Sequence, residues 1–297
     1  MKLHLIVIDP QNDFCKKPNP SLVPDEVLQR ANAGDSKAVE LMKELKPSMT
    51  GGSLYVAGAD KDMERLSAMI TRLGDRIEDI HVTLDTHHQV DIAHSIFWVD
   101  SKGNHPNPFT LISADDVKSG KWTTTNPHFM PRAVQYVEQL AKNGRYPLCI
   151  WPAHCLIGSW GHNVVPELWN ALKEWEDKNF AMVDFVTKGS NFWTEHYSAV
   201  QADVPDPQDP GTMLNVALIE TLKEADVIAI TGEALSHCVA NTIRDIANNF
   251  GEENIKKFVL LEDCTSNVTG FEKFGVDFVT EMKKRGMQIS TSDKLFK

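Results

Sequence analysis

The sequence predicts an α/β protein built on a six-stranded, mainly parallel sheet with helices on both faces. Two observations predict it. Six short apolar runs recur, LHLIVI, DIHVTL, YPLCIW, AMVDFV, DVIAIT and KFVLLE, each too continuous to be half exposed and so suited to a sheet covered on both sides. Between them lie segments whose apolar residues fall at helical spacing, the alternation expected of a wound sheet.

Taken in order, LHLIVI reads as a buried first strand that ends on Asp9. Residues 16–60 fit the alternation poorly and read as an insertion, with one helical piece, DEVLQRANAGDSKAVELMKELK. MERLSAMITRLGDRI is a helix leading into DIHVTL, which Asp85 follows. Residues 99–129 are rich in Asn, Pro, Gly, Ser and Thr and read as a second insertion, a long loop of the kind that forms lids or interface arms. PRAVQYVEQLAKNG then precedes YPLCIW, and VVPELWNALKEWEDKN precedes AMVDFV, after which comes Lys188. The connection QADVPDPQDPG is rich in proline. GTMLNVALIETLKEA leads to DVIAIT, and CVANTIRDIANNF leads to KFVLLE. All 297 residues are read as a single elaborated domain.

Composition narrows the function classes. Hydrophobic residues at 42% and charged residues at 24% are those of an ordinary globular protein, and no apolar run approaches the ~18 residues of a membrane span. The apolar stretch in MKLHLIVIDP is too short for a secretory signal and lacks a small-residue cleavage site. Cys15, Cys149, Cys155, Cys238 and Cys264 are odd in number and without paired spacing, which argues against a disulfide framework and for a reducing, cytoplasmic setting. A formal charge of -11 with no Lys/Arg cluster repels phosphate backbones, so nucleic acid is not an expected partner.

Wound sheets bind ligands beyond the carboxyl ends of their strands, so the polar residues there are the candidates. Cys238 falls between an apolar strand and a helix beginning VANTIRDI, where helix amides stabilise a thiolate. Asp9 and Lys188, at neighbouring strand ends, offer the base and the cation such a thiol needs. Asp85 and His87 are two apart, a spacing that turns both side chains the same way on an extended segment, and His154 offers a third ligand. His94 is a candidate fourth. Such N/O donors with open positions suit one divalent ion such as zinc, iron or manganese, and these ligand types do not name it; zinc is the ion expected first. Phe14 and Trp151 are placed to sandwich a flat ring. His88 is expected to point away from the ligand set, and His105, His128, His162 and His196 to lie on the surface.

IDPQNDF, DTHHQVDIAH, WPAHC, TKG followed by YSAV, and GEALSHCVANT occur in that order along nearly the whole chain. Together they resemble the metal-containing nicotinamidases of the isochorismatase-like family. The resemblance implies a triad of Asp9, Lys188 and Cys238, and metal ligation by Asp85, His87 and His154. His94 matches a position that completes the metal shell in some relatives. It also implies aromatic walls at Phe14 and Trp151, and an oxyanion loop formed by the backbone of Ala234 and Cys238 with a cis peptide before Ala234. The implied substrate is a small amide, nicotinamide, whose hydrolysis belongs to NAD salvage. Another small amide or a ureido compound, or a catalytically silent metabolite-binding role, are the alternative readings. The family's compact pattern has no counterpart to the two insertions. Glu233 stands where small or apolar residues are common and is expected to face solvent. Oligomeric state stays open, a homo-oligomer included.

Overall fold

The computed structural model describes residues 1–18, 51–143 and 146–297, together with Arg30 and Lys37. The helical piece expected within residues 25–46 therefore lies outside the described residues, apart from those two. Six strands form the central sheet: β1 (Leu3–Ile8), β2 (Ile77–Asp85), β7 (Asp184–Lys188), β8 (Val227–Gly232), β9 (Phe258–Leu261) and β10 (Gln288–Ser290). Their spatial order is β10-β9-β8-β1-β2-β7, and every neighbouring pair is parallel. All six residues of β1 are buried, as expected for a central strand covered on both faces.

Helices α2 (Ala59–Leu73) and α5 (Pro166–Asn179) pack together, and α7 (Ala240–Asn248) packs on α8 (Glu272–Arg285). Right-handed crossovers explain this division. The chain moves outward from β1 to β2 and β7 with α2 and α5 on one face, then outward the other way from β8 to β9 and β10 with α7 and α8 on the other. A short α1 (Asn12–Cys15), α4 (Met130–Lys142) and α6 (Val216–Lys223) complete the helical connections named so far. Buried apolar side chains from Leu3 to Leu295 form one contiguous core. No described helix is long and apolar enough to cross a membrane.

Two expectations need correcting. YPLCIW is not a strand of the main sheet: only β6 (Leu148–Cys149) is extended there, and it pairs antiparallel with β4 (Leu111–Ile112). Leu148, Cys149, Ile150 and Trp151 are nonetheless buried in the core. The sixth sheet strand is instead β10, whose residues are only partly covered at the sheet edge, so it lacks the apolar run that marks the others. Residues 99–129 are likewise not a featureless loop. They hold β4, a helix α3 (Ala114–Lys118) and β5 (Thr123–Thr124), which pairs with β3 (Trp98–Val99). Ser113 and Asp116 form a reciprocal capping box at the start of α3, which is the physical reason so short a helix persists.

The sheet changes winding direction between β1 and β8, and the carboxyl ends of those strands open the crevice where ligands bind in such folds. Gly232, the last residue of β8, has φ 110°, and a Cβ built there would meet the Ile8 carbonyl oxygen at 2.1 Å. Only glycine allows β1 and β8 to approach this closely. Gly232→Ala is therefore expected to lower the unfolding free energy by at least about 2 kcal/mol. Urea denaturation would measure it, and an unchanged midpoint would contradict this reading of the junction.

Candidate active site

Four adjacent strands deliver their carboxyl ends to one place. Asp9 follows β1, Asp85 ends β2, Lys188 ends β7, and Cys238 lies eight positions after Ile230 of β8 in a π-helical turn, Leu235–Val239, that runs into α7. Asp9 is fully buried and has φ 46°, a left-handed conformation that aspartate tolerates better than most residues. Thr83 of β2 holds it at both ends, accepting from the Asp9 N–H at 3.1 Å and donating its hydroxyl to Asp9 Oδ1.

The Lys188 ammonium lies 2.9 Å from Asp9 Oδ2 and 2.9 Å from Asp85 Oδ1, and 3.7 Å from Cys238 Sγ. Burial would lower the Lys188 pKa, but the two carboxylates outweigh it and hold the ammonium well above its ordinary value. For Asp9 burial wins and raises the carboxyl, although Lys188 opposes it. Burial also pushes the Cys238 thiol well above its usual range, with Lys188 pulling the other way. Desolvation thus opposes the thiolate that the helix-end position was expected to favour.

Asp85 turns its other oxygen toward histidines. Asp85 Oδ2 is 3.1 Å from His87 Nε2 and 3.3 Å from His154 Nε2, and the three donor atoms lie within 4.8 Å of one another. Donors about 2.0–2.1 Å from a tetrahedral ion stand about 3.3 Å apart. The opposite ring nitrogens are engaged: His87 Nδ1 is 3.0 Å from Asp91 Oδ2, His154 Nδ1 is 2.8 Å from the Pro152 carbonyl, and His94 Nδ1 is 3.3 Å from the Gln89 carbonyl. Those oxygens can only accept, so each ring, when neutral, would present its lone pair at Nε2. His94 Nε2 is buried and has no hydrogen-bond partner among the described residues, and its ring lies 5.1 Å from that of His87. Burial and the nearby His87 push the His94 pKa down to about 4. Burial would lower His87 too, but Asp85 and Asp91 outweigh it and raise it well above its ordinary value. A site that favours positive charge between two carboxylates, with imidazole lone pairs around it, fits a divalent ion.

Phe14 and Trp151 line the same small cavity as Asp85, His154, Ala234 and Cys238. The peptide bond Glu233–Ala234 is cis, as the resemblance implied. Sequence reasoning did not find Glu195, Tyr197 and His237, which also line the cavity. Burial raises Glu195 to about 8 and lowers His237 to about 3. Neither lies at a strand end or in a spacing that marks chemistry. Asp91 also went unread, although its position four after His87 within DTHHQVDIAH was a usable signal.

Glu233 does not face solvent. It is fully buried, where burial and the neighbouring Asp62 raise its pKa well above the usual carboxyl range, while the Ser266 N–H donates to Oε2 at 3.1 Å. His196 is buried and accepts from the Gly189 N–H at 3.1 Å, and His162 is half-buried, so neither is the surface residue expected. His88, His105 and His128 are exposed. All five cysteines are free and buried.

No protein-family model and no curated protein matches the sequence. Solved structures do match across almost the full length. A nicotinamidase/pyrazinamidase of Acinetobacter baumanii is 19% identical, with a TM-score of 0.58, over 99% of this chain and 98% of its own. The yeast nicotinamidase bound to the inhibitor nicotinaldehyde is 18% identical, with a TM-score of 0.60, over 98% and 100%. A pyrazinamidase of Pyrococcus horikoshii in complex with zinc is 17% identical, with a TM-score of 0.50, over 97% and 98%. The chain has the fold of these proteins.

Removing the Lys188 charge leaves Asp9 and Asp85 buried without their shared cation. Lys188→Met is expected to cost about 3–5 kcal/mol of stability near neutral pH. The Asp9 pKa, already raised above 3.8, would rise further without the ammonium, and a carboxyl with a raised folded pKa loses stability as pH rises through that value. The variant's deficit should therefore shrink as pH is lowered toward about 4. Unfolding curves at several pH values would measure this, and a deficit independent of pH would contradict it.

Proposed function

We propose that this protein is a cysteine amidohydrolase that converts nicotinamide to nicotinate and ammonia. The observation that carries the reading is the meeting of Asp9, Lys188 and Cys238 with the Asp85, His87 and His154 donor set at one cavity walled by Phe14 and Trp151. Thiol, base and cation supply amide cleavage, and the flat apolar walls suit a ring. Similarity in fold to a nicotinamidase bound to nicotinaldehyde and to a pyrazinamidase in complex with zinc supports the same substrate class and ion. The contiguous core from Leu3 to Leu295 supports reading the whole chain as one hydrolase domain, and five free cysteines support a cytoplasmic setting.

In this reading Asp9 accepts the Sγ proton of Cys238 as the sulfur attacks the carboxamide carbon. Its raised pKa makes it a stronger base than an exposed aspartate. Lys188 keeps the charge on Asp9 balanced before transfer and stabilises sulfur as the proton leaves. The tetrahedral oxyanion faces the backbone N–H groups of Ala234 and Cys238, worth ~3 kcal/mol per donor in comparable sites. Asp9 then returns its proton to the departing nitrogen, ammonia leaves, and a thioester to Cys238 remains. Water, deprotonated by the same carboxylate, cleaves that thioester to the acid and restores the thiol. Asp85, His87 and His154, joined by His94, would hold a divalent ion, zinc before iron or manganese; when bound it supplies Lewis-acid attraction for the ring nitrogen and so orients the carboxamide.

Ammonia release from nicotinamide by metal-analysed protein tests the proposal. Wild type is expected to turn over, and Cys238→Ala and Asp9→Asn each to lose at least about a thousandfold in kcat. Asp9 must be ionised to accept the proton, so kcat/KM should fall as pH drops through a value above 3.8. No ammonia from metal-replete wild type, with release from another small amide or a ureido compound, would overturn the substrate. Wild-type turnover by Cys238→Ala would overturn the nucleophile.

A further inference from the structure

A second set of metal-type donors meets at the opposite end of the same sheet. In the strand register His4 of β1 sits beside Asp79 of β2, Ile6 sits beside His81, and His81 sits beside Asp184 of β7. Side chains two apart on a strand share a face, so His4, Asp79, His81 and Asp184 all project from one side of three adjacent strands. This side-by-side placement brings their polar atoms together where the rest of β1 is apolar.

The tautomer of His81 follows from its neighbours. Its Nδ1 lies 2.9 Å from Asp184 Oδ2, and a carboxylate oxygen only accepts, so the neutral ring carries its proton at Nδ1 and presents a lone pair at Nε2. That nitrogen is 3.3 Å from His4 Nδ1 and 3.7 Å from Asp79 Oδ2, and the three donor atoms lie within 4.8 Å of one another. A carboxylate that fixes the far nitrogen of an imidazole is the arrangement that orients zinc-ligating histidines. Two nitrogens bound to one tetrahedral zinc ion at about 2.0–2.1 Å stand about 3.3 Å apart, which is the spacing between His4 and His81. The two histidines are buried, while the Asp79 side chain is 32% exposed, so an ion can reach the site from solvent.

We propose that His4, Asp79 and His81 form a second divalent-metal site of the zinc class, with Asp184 orienting His81 and a fourth position open to water. His4 and Asp9 are five positions apart in the chain, roughly 16 Å of extended strand. The second ion therefore sits too far from Cys238 to take part in hydrolysis. It clasps β1 and β2 directly and β7 through Asp184, at the end of the sheet where no reactive group is delivered. The proposal does not depend on the hydrolase reading.

Metal counting on the full chain tests it. Protein stripped with chelator is dialysed against buffered Zn2+, and bound zinc is measured by mass spectrometry of the metal alongside thermal unfolding. His4→Phe, which keeps a buried ring, is expected to bind one zinc equivalent fewer than wild type, whatever the Asp85 site holds. Asp79→Asn provides the same reading if the buried substitution fails to fold, because its side-chain oxygen can still accept from the Ile80 N–H that now donates to Asp79 Oδ1 at 3.0 Å. Zinc should also raise the wild-type Tm by more than it raises that of either variant. A folded variant with the wild-type zinc count and the wild-type Tm response overturns the proposal.

Discussion

The Lys188 ammonium, held 2.9 Å from each of two buried carboxylates, is the interaction on which the rest of the site depends. Burying an ion costs several kcal/mol even after relaxation, and here three charged groups from β1, β2 and β7 share that cost by compensating one another. Asp85 spends one oxygen on Lys188 and the other on His87 and His154. The same carboxylate therefore joins the thiol side of the cavity to the imidazole side. Moving Lys188 would disturb Asp9, Cys238 and Asp85 together.

The sheet makes that sharing possible. Parallel neighbours deliver equivalent strand ends to one level, and the change in winding direction between β1 and β8 leaves a gap there that no crossover covers. Asp9, Asp85 and Lys188 are successive strand ends on one side of the gap, while Cys238 arrives from the other on the turn after β8. Gly232 lets that turn start against the Ile8 backbone. Desolvation raises the pKa of both Cys238 and Asp9, with Lys188 opposing it at each.

Much of this was legible in the sequence, for identifiable reasons. The inner strands β1, β2, β8 and β9 are covered by neighbours on both sides and advertise themselves as apolar runs, whereas β7 forms the other edge and is largely exposed up to Lys188; the polar residue after such a run is a site candidate by topology alone. That logic fails at the periphery. The run YPLCIW is buried against β4 rather than in the sheet, and β10 is too exposed at the edge to need apolar residues. It fails also for residues away from strand ends: Glu195 and Tyr197 come from the connection after β7, and His237 from the π-helical turn that holds Cys238, where no periodicity marks them. Glu233 was misread because a charged side chain beside a loop is ordinarily solvated. Its burial against Asp62 depends on a partner 171 positions away in the chain.

The central claim is that Cys238, buried beside Asp9 and Lys188, carries the acyl group. Acid-quenching metal-replete enzyme during turnover of nicotinamide, followed by peptide mass spectrometry, tests it most directly. The account predicts a nicotinoyl thioester on the peptide containing Cys238 and unmodified thiols at Cys15, Cys149, Cys155 and Cys264. Continuing turnover with the acyl group on another residue, or with no acyl-enzyme at Cys238 when its breakdown is made rate-limiting, would contradict it.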